Sequence, residues 1–189
     1  MPVHIKLLEQ ANRSMEKINT LIDDLLQINR LDVGQLALHK TTFNISDMLN
    51  KCCNHIRIAG KHNLITTGDE QLEVFADENR IDQVLVNLVN NAVKYAPDSK
   101  EIYLSVEQIS GFAKVSVRDT GPGISADKIP FLFNRYYRAE SETNFYSGLG
   151  LGLYICYEII KRHKGEIGVD STPELGSTFW FTLPLGLVN

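Results

Sequence analysis

The stretch QVLVNLVNNAVKYAP, residues 83 to 97, limits the fold more tightly than any other part of the chain. Ile81, Val84, Leu85, Leu88, Val89, Ala92 and Val93 recur at steps of three and four, the repeat of one helix face. A stripe this broad needs a core to cover it. Asn87, Asn90 and Asn91 sit in the same helix, although asparagine competes for backbone hydrogen bonds and is a poor helix former. Asn87, Asn91 and Lys94 fall together on a second face, at i, i+4 and i+7. Amide oxygens are hard, neutral ligands of the kind Mg²⁺ accepts beside water and phosphate. Lys94 would offset phosphate charge. The alternative reading of the same face is a solvated polar surface.

Two glycine motifs follow. DTGPGI, residues 119 to 124, comes directly after a predicted strand. Gly121 and Gly123 let backbone approach a flat ligand closely. Asp119, when ionised, only accepts hydrogen bonds. Adenine offers an amino donor where guanine offers a carbonyl, so a buried Asp119 would select adenine. The alternative is a strand-to-loop turn that the Asp merely steadies. SGLGLGLYICYEII places Gly148, Gly150 and Gly152 at alternate positions leading into a helix. A helix start presents free N–H groups and suits phosphate, or it simply packs closely there. Neither G-x-x-x-x-G-K-[ST] nor G-x-G-x-x-G fits, because position 153 is Leu. No H-R-D and D-F-G pair of a eukaryotic-type protein kinase occurs.

With 189 residues and 43% hydrophobic content, the chain suits one globular domain with an appendage. A net charge of −4 argues against a general nucleic-acid surface, so an anionic ligand must be held by local donors. The odd, sparse set Cys52, Cys53 and Cys156 fits a reducing compartment rather than a disulfide framework. Cys52, Cys53, His55 and His62 lack the usual zinc spacing and read as an ordinary helix face. No apolar run approaches the roughly 18 residues of a membrane span, and no signal peptide opens the chain.

The order of elements predicts an α+β fold, a two-layer sandwich with a mixed sheet behind a long N-terminal helix. That helix spans Pro2 to Leu31, where Leu8, Ala11, Met15, Ile18, Ile22 and Leu25 show bundle spacing widened by Leu7, Leu21 and Ile28. Gly34 ends it, and residues 35–44 read as an extended linker. A short helix over 45–59 is capped by Asn44 or Ser46. Two strands flank a Gly68–Asp69 turn, and Asp77 caps the asparagine helix. Strands over 101–110 and 112–119 meet near Gly111. A loop from Asp119 to about Gly150 carries a short helix near Asp127 to Phe133. A helix over 151–163 and a closing hairpin complete the chain.

NLVNNAVKYAP, DTGPGI, FLFNRYYRAES and GLGLGLYI stand in fixed order, and HKGEIGVDSTPELGSTFWFTLPL ends the chain. Together they resemble the N, G1, F and G2 boxes and the last strands of bacterial sensor histidine kinases. The resemblance implies that residues 41–189 form a catalytic ATP-binding domain of the gyrase, chaperone and kinase type, with the Bergerat-type fold. It implies ATP and Mg²⁺ as cofactors, the metal held by Asn87 and Asn91. Lys94 and Tyr95 would contact phosphate and nucleoside, and Asp119 would bind the adenine amino group beside Gly121, Gly123 and Ser177. Ile124 to Ser147 would form a mobile lid, with Arg138 a phosphate contact. Gly148, Leu149, Gly150, Leu151 and Gly152 would line the phosphates. Residues 1–40 resemble the second helix of the dimerisation and phosphotransfer hairpin, plus linker. His4, His39, His55, His62 and His163 all lack the phosphoacceptor signature, so the chain is expected to be a fragment cut near the hairpin loop. A response-regulator receiver domain and homodimerisation through the hairpin are implied as partnerships. Nucleic acid and direct membrane contact are not. The implied location is cytoplasmic, as part of an anchored sensor where an anchor exists. Two other expectations remain open: a related ATPase of the superfamily, and a non-catalytic dimerisation module.

Overall fold

A computed structural model describes residues 37–139 and 149–186, the side chain of His55 excepted, with positions 8, 11, 14, 15, 18, 19, 21, 22, 25, 26, 28 and 29. Those twelve positions are helical. Leu8, Met15, Ile18, Ile22 and Leu25 are exposed, whereas Ile28 is buried with the core. Leu7 lies outside the described residues.

The main sheet has five strands in the order β2-β4-β5-β7-β6. β2 (Asn63–Gly68) runs parallel to β4 (Glu101–Ile109). The other neighbours, β5 (Phe112–Arg118), β7 (Gly176–Pro184) and β6 (Ile167–Thr172), pair antiparallel. Two-residue alternation sends Ile102, Leu104, Val106, Ala113, Val115, Val117, Phe179, Phe181 and Leu183 to one buried face. Against that face lie α3 (Glu78–Tyr95) and α4 (Gly152–Arg162), which also pack on each other. Each brings a full apolar stripe, including Leu85, Leu88, Ile159 and Ile160. The mixed α+β two-layer arrangement is therefore the observed fold. On the sheet's other face, Trp180 lies across Gly168 so closely that a methyl there would collide with the ring. Lys114 caps the indole at 5.1 Å.

Four local expectations are corrected. The last residues of the supposed linker form β1 (Thr41–Asn44), paired antiparallel with β3 (Glu73–Ala76) in a separate two-stranded sheet. The strands flanking Gly68–Asp69 consequently do not pair with each other. The single helix over 45–59 is instead α1 (Ile45–Lys51) and α2 (Asn54–Ala59), broken where Cys53 takes a left-handed φ of 55°. Cys52 Sγ and Arg57 Nη2 reach Leu49 O, at 3.3 and 3.4 Å, and so satisfy a carbonyl at the end of α1. The helix near 127–133 is only a 3₁₀ turn over Ile129–Phe131, with a proline in its first positions. Of the two candidate caps for α1, Asn44 serves, accepting from Asp47 N–H at 3.0 Å.

A polar cluster around the buried side chains of Asp77 and His163 fastens residues 39 and 40 to α3 and α4. Asp77 caps α3 by accepting from Arg80 N–H, and its other oxygen accepts from His39 N–H at 2.8 Å. Asp77 N–H donates to His163 Nε2 at 3.0 Å. His163 Nδ1 lies 2.8 Å from Ile159 O. A carbonyl only accepts, so Nδ1 carries the proton and the ring is neutral. Lys40 Nζ donates to Arg162 O at 3.3 Å. Residues 39 and 40 are thereby strapped across the start of α3 and the end of α4.

Candidate functional site

α3 forms the spine of the candidate site. Asn87 and Asn91 stand one turn apart on its half-buried face, and Asn91 Nδ2 donates to Asn87 Oδ1 at 3.2 Å. Asn90 is exposed and faces elsewhere. One turn on, Lys94 Nζ donates to Tyr95 Oη at 3.0 Å and lies 4.6 Å from that ring's centroid. The start of α4 comes down on the Asn pair: a Cβ on Gly152 would stand 2.5 Å from the Asn87 amide. At the C-terminal end of α3, a Cβ on Gly121 would stand 2.6 Å from Ala96 Cβ. One helix thus touches both glycine motifs. The nine residue-to-residue steps from 87 to 96 correspond to about 13 Å of helix.

Asp119 directly follows β5 and is buried. Its Oδ1 accepts from Gly121 N–H at 2.8 Å and from Ser177 N–H at 3.3 Å. Burial pushes its carboxyl above the ordinary carboxylate range, and the two backbone donors pull the other way. Ser177 therefore reaches Asp119 through its backbone, while its hydroxyl lies 2.9 Å from Ser171 Oγ. Ser171 also accepts from Ile124 N–H at 2.8 Å and donates to Gly176 O at 3.0 Å. Sequence reasoning overlooked Ser171, because nothing in its local pattern signals a clasp across 47 residues.

Tyr136, about midway along the expected lid, donates its N–H to Gly150 O, just past the lid's far boundary, at 3.1 Å. Gly150 accepts this fit with a φ of +68°, in the left-handed region. Ile124 packs on the core, Leu149 is partly exposed, and Leu151 is buried, leaving only its backbone at the site. Arg138 is exposed at the described edge of the lid. Gly148, with residues 140–147, lies outside the described residues. A cavity of about 320 Å³ lies beside the Asp119 turn, lined by Ala96, Ser99, Thr120, Gly121 and Glu174 among others. It shares Gly121 with the candidate site but includes neither asparagine of the pair.

A family model described as histidine kinase-, DNA gyrase B-, and HSP90-like ATPase matches residues 76–187, more than half of the chain. The chain belongs to this family. Among relatives, the adaptive-response sensory kinase SasA of Microcystis aeruginosa is 36% identical over 185 residues, covering 95% of this chain and 48% of that protein. The SasA of Crocosphaera subtropica is 37% identical with the same coverage. The chain thus spans about half the length of these relatives. The nucleotide-free catalytic domain of the histidine kinase ThkA superposes with a TM-score of 0.66 at 28% identity, over 77% of this chain and 95% of that one. Full-length ShkA, solved with AMPPNP, shares the fold with a TM-score of 0.83 at 24% identity, over 98% of this chain and 40% of that one. Among the described residues of this ATPase-family chain, no helix is long and apolar enough to cross a membrane. No three His, Cys, Asp or Glu side chains converge as a metal cluster among those residues either.

Proposed function

We propose that this chain is the ATP-binding catalytic part of a sensor histidine kinase. In this reading residues 41–189 form the catalytic domain, and residues 1–40 a hairpin helix and linker. The observation that carries the reading is that α3 meets one glycine motif at Asn87 and the other at Ala96. The span suits an extended nucleotide, with the base at Asp119 and the phosphates toward Gly152. Asp119 Oδ1 is engaged by two backbone N–H groups, which leaves the second oxygen for the adenine amino group. Gly121, Gly123 and Ile124 would flank the base, with Ser177 behind the carboxylate. Lys94, Tyr95, Arg138 and the backbone of residues 148–152 would hold the sugar and phosphates.

The donor set fits Mg²⁺. Asn87 and Asn91 offer hard oxygens without negative charge, so they can join a shell completed by phosphate and water. Asn91 now donates to Asn87, and rotation of its amide exchanges nitrogen for oxygen. When bound, the metal spreads the charge that builds on the transferred phosphoryl group. The chain's own residues position: Asp119 fixes the base, and the start of α4 presents N–H groups to the phosphates. The nucleophile would be a histidine of a partnering hairpin helix, in a homodimer that passes phosphate to a response-regulator receiver domain in the cytoplasm.

Calorimetric titration with a non-hydrolysable ATP analogue and Mg²⁺ tests the site. Asp119→Ala and Asn91→Ala should each weaken binding by about tenfold or more, the scale of a lost charge-assisted contact. Unchanged affinity in both variants would reject the assignment. An amide cannot take a proton from water, and a positioned general base is worth about 10²–10⁴ in rate. The purified chain should therefore hydrolyse ATP slowly, and brisk turnover would point to an ATPase instead.

A further inference from the structure

Thr120 lies between the carboxylate of Asp119 and the N–H of Gly121 that holds it, and its own backbone is gripped from outside. Thr120 N–H donates to Ser99 Oγ at 3.0 Å, and the Thr120 hydroxyl lies 2.9 Å from the same oxygen. Ser99 is 4% exposed. Its N–H donates to Ala96 O at 3.0 Å, which ties it to the end of α3. Its carbonyl lies 2.7 Å from Nδ1 of His62, itself 7% exposed. A carbonyl cannot donate, so His62 Nδ1 carries the proton and donates to Ser99 O.

We infer that Ser99, held by His62, is a positioning residue for base selection: it fixes the Asp119–Thr120–Gly121 turn and so aims the carboxylate at the purine. This rests on Asp119 as the base acceptor proposed above. The geometry divides the labour. Gly121 N–H from within the turn and Ser177 N–H from β7 hold one carboxylate oxygen, and Ser99 holds the next peptide from the α3 side. Without the Ser99 hydroxyl, Thr120 N–H can turn to water, since Thr120 is exposed. The carboxylate then keeps its local bonds but loses its fixed direction relative to α3. A directed charge-assisted hydrogen bond discriminates between a donor and an acceptor on the ligand, whereas a wandering one does not.

The test compares ADP with IDP, which carries a carbonyl where ADP carries the amino group. Wild type, Ser99→Ala, Ser99→Thr, His62→Asn and Asp119→Asn are titrated with both by calorimetry in Mg²⁺, and Tm is measured for each. Wild type should prefer ADP. Ser99→Ala should lose about tenfold for ADP, the scale of one charge-assisted hydrogen bond, while IDP affinity stays level. Ser99→Thr keeps the hydroxyl, and His62→Asn keeps a donor near Nδ1, so both should retain the preference. An undiminished ADP preference in Ser99→Ala overturns the inference and leaves the base-reading role of Asp119 intact. A parallel loss of both nucleotides, tracking a fall in Tm, overturns it as well, because a structural role alone produces that result. If wild type binds neither nucleotide, or Asp119→Asn keeps the preference, the base-reading proposal itself fails and the inference falls with it.

Discussion

At Gly152 a methyl would meet the far end of a flexible side chain, not backbone. The conflict is cheaply relieved by moving the Asn87 amide, which is the group proposed to hold the metal. Gly152→Ala should therefore shift Tm by no more than about 2–4 °C, the effect of roughly 1 kcal/mol in a chain of this size. Mg²⁺-dependent nucleotide affinity should nevertheless drop by about tenfold, or 1.4 kcal/mol. Calorimetry beside a melting curve separates the two. Asp119 makes the opposite trade. Its folded-state carboxyl titrates above its unfolded value, so ionisation at neutral pH opposes folding. Stability linked to this group is fully present below the unfolded value and is lost as pH rises through the folded one. Asp119→Asn should thus melt higher than wild type at pH 7, while the proposed base contact predicts weaker nucleotide binding. The difference should vanish below about pH 4, where the unfolded carboxyl is also protonated. Melting curves of both proteins across that range provide the check.

Among the elements, α3 and α4 were legible because their apolar repeat is local and long. β5 and β7 were legible from strict alternation. The parallel pairing of β2 with β4 was hidden, because the partners lie 38 residues apart and no hairpin turn joins them. The break at Cys53 was hidden as well, since the apolar positions continue through it and only the backbone turns left-handed. Within the site, Asn87, Asn91, Asp119 and the glycines announced themselves by spacing. Ser99, His62 and Ser171 did not, because their hydrogen bonds join distant segments and isolated serines carry no pattern. The same is true of the strap at His39, Lys40, Asp77 and His163. Burial lowers the His163 pKa, and Lys40 lowers it further, outweighing Ile159 O and Asp77. A histidine depressed in the folded state lends stability above its unfolded value of about 6.5. That stability is lost as pH falls toward the folded value. Wild type should therefore lose Tm on acidification below about pH 6.5. His163→Gln should flatten that slope, which a Tm series between pH 7.5 and about 5 would reveal.

For the whole molecule, the N-terminal helix divides into two kinds of position. Ile18 and Ile22 are about half exposed, whereas Ile28 is 1% exposed and belongs to the core. If the exposed stripe serves association, Ile18→Lys combined with Ile22→Lys should reduce the mass seen by light scattering. Stability per chain should change by only about 0.5 kcal/mol per site, as for other surface changes. Ile28→Ala should instead cost about 2–5 kcal/mol, the range for an emptied core position. Denaturant titration would separate these outcomes.

The packing of Trp180 has a practical corollary. It is the sole tryptophan in the chain, and it sits on the sheet face away from α3, pinned between Gly168 and the Lys114 ammonium. Its intrinsic fluorescence is a built-in optical gauge of sheet integrity, screened by the sheet itself from whatever occupies the groove beside α3. An emission shift then signals loss of structure, and ligand occupancy has to be followed by a separate label.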